Sequence, residues 1–213
     1  MESASVSLRG GLGHEAEHDH HEEHHGPPEA NRSSRVDAQF LGMLLFIISE
    51  IMLFGAFFTA YFFIRGVADN PWPAEGTVLP VAVAGVNTAI LLSSSFTMHW
   101  ALESAKSGNR AGLRAGLFTT LLLGTTFLII QINEYVNIGF APADHAQGSI
   151  FYGLTGLHGA HVFVGLTLLL FATIRAFRGH FTPKEHRGVE VPGIYWHFVD
   201  VMWVLVYASI YLL

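Results

Sequence analysis

Nine side chains that can ionise or hydrogen-bond strongly fall inside long apolar stretches of this sequence: Glu50, Asn87, His99, Gln131, Glu134, His158, His161, His197 and Asp200. A carboxylate or imidazole in hydrocarbon is costly, so these residues carry most of the functional information. Glu50 has apolar neighbours at Phe46, Leu53, Phe54 and Phe57 and no basic residue close by in sequence. Two readings stay open for it: a neutral donor or proton-exchanging group, or a hydrogen bond that packs helices. Gln131 and Glu134 stand three apart, as do His158 and His161, which puts each pair on one face of a helix. Together they could form an ion pair, a proton relay or a lipid-headgroup anchor; structural hydrogen bonding is the favoured reading. Two histidines at this spacing supply only part of a coordination shell, so no metal site is expected. His197, Asp200 and Trp203 recur at helical spacing and form one polar stripe expected to face a bundle interior. Tyr195, Trp196, Tyr207 and Tyr211 read as core packing or interfacial anchors.

The elements that must position these groups follow from composition. Of 213 residues, 51% are hydrophobic and only 13% are charged, which excludes an ordinary soluble domain and leaves runs with no charge at all. Five runs can cover the roughly 20 helical residues that cross a hydrocarbon core. They are Ala38 to Ile64, Leu79 to Leu102, Ala111 to Ile138, Ile150 to Phe177 and Gly193 to Leu213. Turn-forming strings separate them: DNPWPAEG, AKSGN, APADHAQG and RGHFTPKEHRGVEVP. The expected fold is all-α, an integral membrane bundle of five transmembrane helices in residues 37–213, with sequence neighbours packed antiparallel. Gln131 and Glu134 should then lie in the outer half of the membrane, within reach of His158 and His161.

Residues 1–36 are polar, and the run HEAEHDHHEEHH has no apolar periodicity, so this segment is expected to be a disordered His/Glu-rich tail. It lacks the apolar region of a secretory signal. Arg9, Arg32, Arg35, Lys106, Arg110, Arg114, Arg175, Arg178, Lys184 and Arg187 would all fall on one side, with Arg65 the exception. The positive-inside rule makes that side cytoplasmic, placing the N-terminus inside, and the C-terminus and the loops with Trp72 and Asp144 outside. The net charge of -6 comes largely from the tail, and no basic stripe suggests a nucleic-acid partner. The absence of Cys removes disulfides and thiolate metal sites.

The string YWHFVDVMWVLVYASIY, Tyr195 to Tyr211, resembles the closing helix of subunit III of cytochrome c oxidases, members of the haem-copper oxidases. FIISEIMLFGAFFTAYF around Glu50, NTAILLSSSFTMHWA from Asn87, QINEY from Gln131 and FYGLTGLHGAHVFVGL around His158 and His161 resemble the same family in the same order. The segment HFT at His180 to Thr182, followed by His186, Gly188 and Glu190, also fits. The likeness spans roughly residues 38–213 and is to the five-helix bacterial form, since two spans of the longest members have no counterpart.

The resemblance implies a noncatalytic subunit that binds no haem or copper, those cofactors belonging to its partners. It would pack directly on oxidase subunit I, alongside subunit II, in a bacterial cytoplasmic membrane. There it would support proton uptake, hold phospholipids in a cleft and sustain turnover. Glu50 matches the family's membrane-embedded carboxylate. Gln131 and Glu134, His158 and His161, and Trp196, His197 and Asp200 match further signature positions. Cytochrome c is the favoured electron donor; a quinol oxidase or a partner of nitric oxide reductases are alternatives. From another class, a membrane haem protein would use His158 or His161 with His197, and a proton-coupled transporter would use Glu50 and Glu134.

Overall fold

Long uncharged runs leave the backbone only itself to bond with, and in the computed structural model they close into helices throughout. The structure describes residues 38–68, 79–182 and 186–213; the tail calls, Trp72 and Lys184 lie outside these. The helices are α1 (Ala38–Val67), α2 (Val81–Lys106), α3 (Arg110–Asn137), α4 (Ala146–Phe177) and α5 (Arg187–Tyr207), the last running into a π-helical turn at Ala208–Leu212. All five are long and apolar enough to cross a membrane.

Local chemistry sets the ends. Asn109 caps α3 by accepting from the Gly112 amide at 3.0 Å, and His145 Nδ1 caps α4 by accepting from the Gly148 amide at 2.7 Å. Past α2 and α4 the chain turns through Gly108 and Gly179 at φ of 78° and 77°, a left-handed conformation that glycine adopts without a Cβ clash. Asn109 and His180 then donate to the carbonyls of Ser104 and Arg175, closing each helix end.

Two helices start earlier than their apolar runs. α4 begins at Ala146 because the His145 cap, not hydrophobicity, starts it. α5 begins at Arg187, so the segment up to Pro192, expected as loop, is helical. Polar residues form helix readily, and Glu190 suits the positive first turn; Pro192 costs only the donor to Gly188 near the helix start.

α2, α3, α4 and α5 pack in sequence order, and α2 also packs on α5, closing a four-helix ring. α1 departs from the expected order: it lies on α4 and, less extensively, on α5, rather than on its neighbour α2. The connection, residues 68–80, can span roughly 40 Å when extended, so nothing forces the two helices together.

Polar side chains are sequestered within a largely apolar core, and the outer surface is apolar. Asn87, Ser94, Thr120, Thr155, His158 and Asp200 are buried, whereas Phe96, Val136 and Met52 are 77%, 78% and 72% exposed. That arrangement suits hydrocarbon as the solvent. Hydroxyls on the outer face, such as Thr59 and Thr125, donate to carbonyls four residues back at 2.8 and 2.7 Å and so need no water.

Candidate functional site

The ionisable groups separate into three places. At the first, α4 supplies Glu50 with the partner that its own helix lacks: His161 Nε2 lies 2.7 Å from Glu50 Oε2. His161 Nδ1 sits 2.7 Å from the Leu157 carbonyl, which can only accept, so Nδ1 carries a hydrogen. One further proton is then shared between Nε2 and the carboxyl. The pair is either acid and imidazole or carboxylate and imidazolium, and the proton count is the same. The Phe54 ring, 4.9 Å from the imidazole, walls one side. The two side chains are 12% and 16% exposed, so the pair borders the outer apolar surface of the bundle.

At the second place, His158 points inward. Its ring lies between Phe127, edge-on at 5.9 Å, and Trp203, tilted at 4.8 Å, and neither nitrogen has a hydrogen-bond partner. The two histidines therefore share a helix but not an environment. One turn and two turns along α3 from Phe127 come Gln131 and Glu134, both buried. Glu134 Oε1 accepts from the Tyr211 hydroxyl, carried inward by the π-helical turn. Its other oxygen and both amide atoms of Gln131 make no hydrogen bond. Glu134 thus bonds Tyr211, and among the described residues no hydrogen bond joins the α3 pair to either histidine. Sequence spacing could place each pair on one face but could not tell which neighbouring helix that face meets.

The third place is the seam of α2 and α5. Small hydroxyl residues on α2 receive the large side chains of α5: Trp196 donates to Ser94 Oγ and Trp203 to Thr88 Oγ1, both at 2.9 Å, and Ser95 Oγ is 2.7 Å from His197 Nδ1. Asp200 is 2% exposed, lies near Ser95, and neither of its oxygens finds a hydrogen-bond partner. The stripe expected on the last helix thus does face inward, with His197 at its margin. Trp196 is fully buried in a slot lined by Gly124 of α3 and Gly165 of α4, where an added Cβ would come within 2.5 and 2.9 Å of the indole. Tyr195, Trp203 and Tyr211 are likewise core.

A cavity of about 960 Å³ opens between the end of α4 and the start of α5. Leu168 and Phe171 form its apolar wall, and Arg175, His180 and Arg187 gather at its polar end. The Arg175 guanidinium also stands over the Phe181 ring at 5.2 Å. The sequence reading used Arg175 and Arg187 only for orientation and His180 only as part of the HFT segment. Their signal, two arginines and a histidine around one interhelical turn, was present but needed the fold to converge. Across the same end, Arg114 donates to the carbonyls of Ala176 and Phe177 at 3.2 and 3.4 Å. At the opposite end, the exceptional Arg65 donates to the main-chain oxygen of Leu213.

The family model described as cytochrome c oxidase subunit III matches residues 29–213. A cytochrome c oxidase subunit 3 of Thermostichus vulcanus is 40% identical over 178 residues, covering 83% of this chain and 88% of that one. Those of Papio hamadryas and Equus caballus are 44% and 42% identical over 177 residues, covering 80% of this chain and 67% of theirs. Five membrane-length helices, the ordered motifs that they carry and a match over most of the sequence agree: the chain belongs to the cytochrome c oxidase subunit III family, as a multi-pass membrane subunit of a haem-copper oxidase.

Proposed function

We propose that this chain is an accessory subunit, without a catalytic centre of its own, in a cytochrome-c-oxidising complex of a bacterial cytoplasmic membrane. It packs on subunit I alongside subunit II, and those partners hold the haem and copper. Its N-terminus and tail, the α2–α3 turn and the α4–α5 turn face the cytoplasm. The observation that carries the reading is the Glu50–His161 pair. Its 2.7 Å contact holds one shared proton at the rim of the bundle. Such a pair supports proton handling and joins α1 to the core, and oxygen reduction needs neither.

The experiment is Glu50→Gln in the assembled oxidase. Initial turnover stays within about twofold of wild type, a barrier change under about 0.5 kcal/mol. Activity is then lost sooner over repeated turnover. Abolition of the first turnovers with assembly intact would show that Glu50 belongs to the reaction itself.

The cavity at Arg175, His180 and Arg187 supports phospholipid binding. Cations at its mouth suit an anionic headgroup and the Leu168 and Phe171 wall suits an acyl chain.

A further inference from the structure

Asp200 is the group that the accessory role leaves unused. A carboxyl group with 2% exposure and two unsatisfied oxygens is a desolvation cost that a bundle of this kind could remove by replacing one residue. It is not isolated, however. Ser95 lies beside it, and the Ser95 hydroxyl bonds His197 Nδ1 at 2.7 Å. His197 is near His99, one turn further along α2, and His99 is near Glu103, one turn further again. Glu103 binds Lys106 at 2.8 Å, and Lys106 lies near Glu190 on the opposing helix. Because α2 and α5 run antiparallel, their polar residues follow one another in order: Ser95 with His197 and Asp200 within the seam, then His99, Glu103 and Lys106 on its exposed outer edge, with Lys106 near Glu190. From Lys106 to Ser95 is eleven residues of helix, about 16 Å. The series therefore begins at a helix end and stops well inside the membrane. Deeper along the same seam, Leu91 and Thr88 are buried and Thr88 is occupied by the Trp203 indole, so the polar file has a floor.

We infer that the α2–α5 seam is a one-sided access path for protons, leading from the membrane surface at Lys106 and Glu190 to the buried carboxyl group of Asp200. His197 takes a proton at Nε2 and releases one from Nδ1 to the Ser95 oxygen, and the Ser95 hydroxyl must turn toward Asp200, with which it makes no hydrogen bond at rest, to pass its own hydrogen to the carboxyl group. The imidazole ends in its other tautomer and the hydroxyl is whole again. On unloading, the same transfers run in reverse and restore the first tautomer, and no oxidant or metal takes part. The floor at Leu91 and Trp203 makes the path a dead end, so it loads and unloads one carboxyl group without leaking protons across the membrane. The path goes beyond the accessory role proposed above and does not depend on turnover.

The chain has no cysteine, so a single introduced thiol reports its own accessibility without background. Ser95→Cys preserves side-chain shape; Glu103→Cys marks the mouth, and Leu91→Cys marks the floor. In the assembled complex in sealed vesicles of known orientation, each is exposed to 2-aminoethyl methanethiosulfonate from either side, and adduct formation is read by intact mass. Ser95→Cys is expected to react at least about tenfold faster than Leu91→Cys, and only from the side at which α2 ends and α5 begins. Reaction no faster than Leu91→Cys, or equal reaction from both sides, overturns the path. Should Ser95→Cys fail to assemble, His197→Cys carries the same comparison. Since labelling needs no electron flow, a negative result leaves the Glu50→Gln outcome standing, and the reverse also holds.

Discussion

Trp196 shows how much at the residue scale depends on what is missing from its neighbours. Gly124 and Gly165 leave the slot for its indole, and Ser94 accepts its N–H. Adding one methyl at either glycine forces the indole or a helix to shift. Gly165→Ala is therefore expected to destabilise the bundle by about 1–3 kcal/mol, read as a lower thermal unfolding midpoint in detergent. Gly156→Ala, which meets nothing within 4 Å, is the control expected to leave it unchanged. The sequence exposed the polar residues themselves, because charge in an apolar run is visible by inspection. It could not expose their partners. His161 is 111 positions from Glu50, and Tyr211 is 77 from Glu134, separations at which helical periodicity has no reach.

At the scale of elements, the number and type of helices were legible because twenty uncharged residues have few other conformations open to them in lipid. Boundaries set by capping chemistry were not, as the early starts of α4 and α5 show. Nor was the place of α1, since a connection long enough to reach several positions selects none. α1 is held by Glu50 to His161, by the Tyr61 hydroxyl to the Ser209 carbonyl, and by Arg65 to the Leu213 main chain. Most of its remaining surface is apolar and uncovered within the chain. Its amides should therefore exchange with deuterium before those of α2 to α5 in the isolated subunit. His161→Leu should accelerate that exchange by about tenfold, as loss of roughly 1.4 kcal/mol would. Equal exchange in all five helices would mean that α1 is bound as firmly as the rest.

Among the described residues, the distribution of polarity decides the environment: Asn87, Gln131, Glu134, His158 and Asp200 lie inside, and large apolar side chains such as Phe96 and Val136 lie outside. The same distribution leaves the cationic cavity between α4 and α5 as the largest polar opening described above. Arg175→Ala combined with Arg187→Ala is expected to lower the anionic phospholipid that co-purifies with the complex by about half or more, since each cation near a lipid surface contributes about 1 kcal/mol. Lipid extracted from wild type and variant and counted by mass spectrometry gives the answer. Unchanged anionic lipid with changed zwitterionic lipid would assign the cavity a different occupant.

The position of α1 also orders events during biosynthesis. Translation delivers α1 to the bilayer before the surfaces that it docks against, on α4 and α5, have been made. Until then the first helix must drift in lipid with Glu50 unpartnered, while α2 and α3 already close their hairpin. Of these five helices, the one made before the others is consequently the latest to settle. During that interval the ionisable Glu50, carried inside an apolar helix, is open to insertion factors or to a waiting partner subunit.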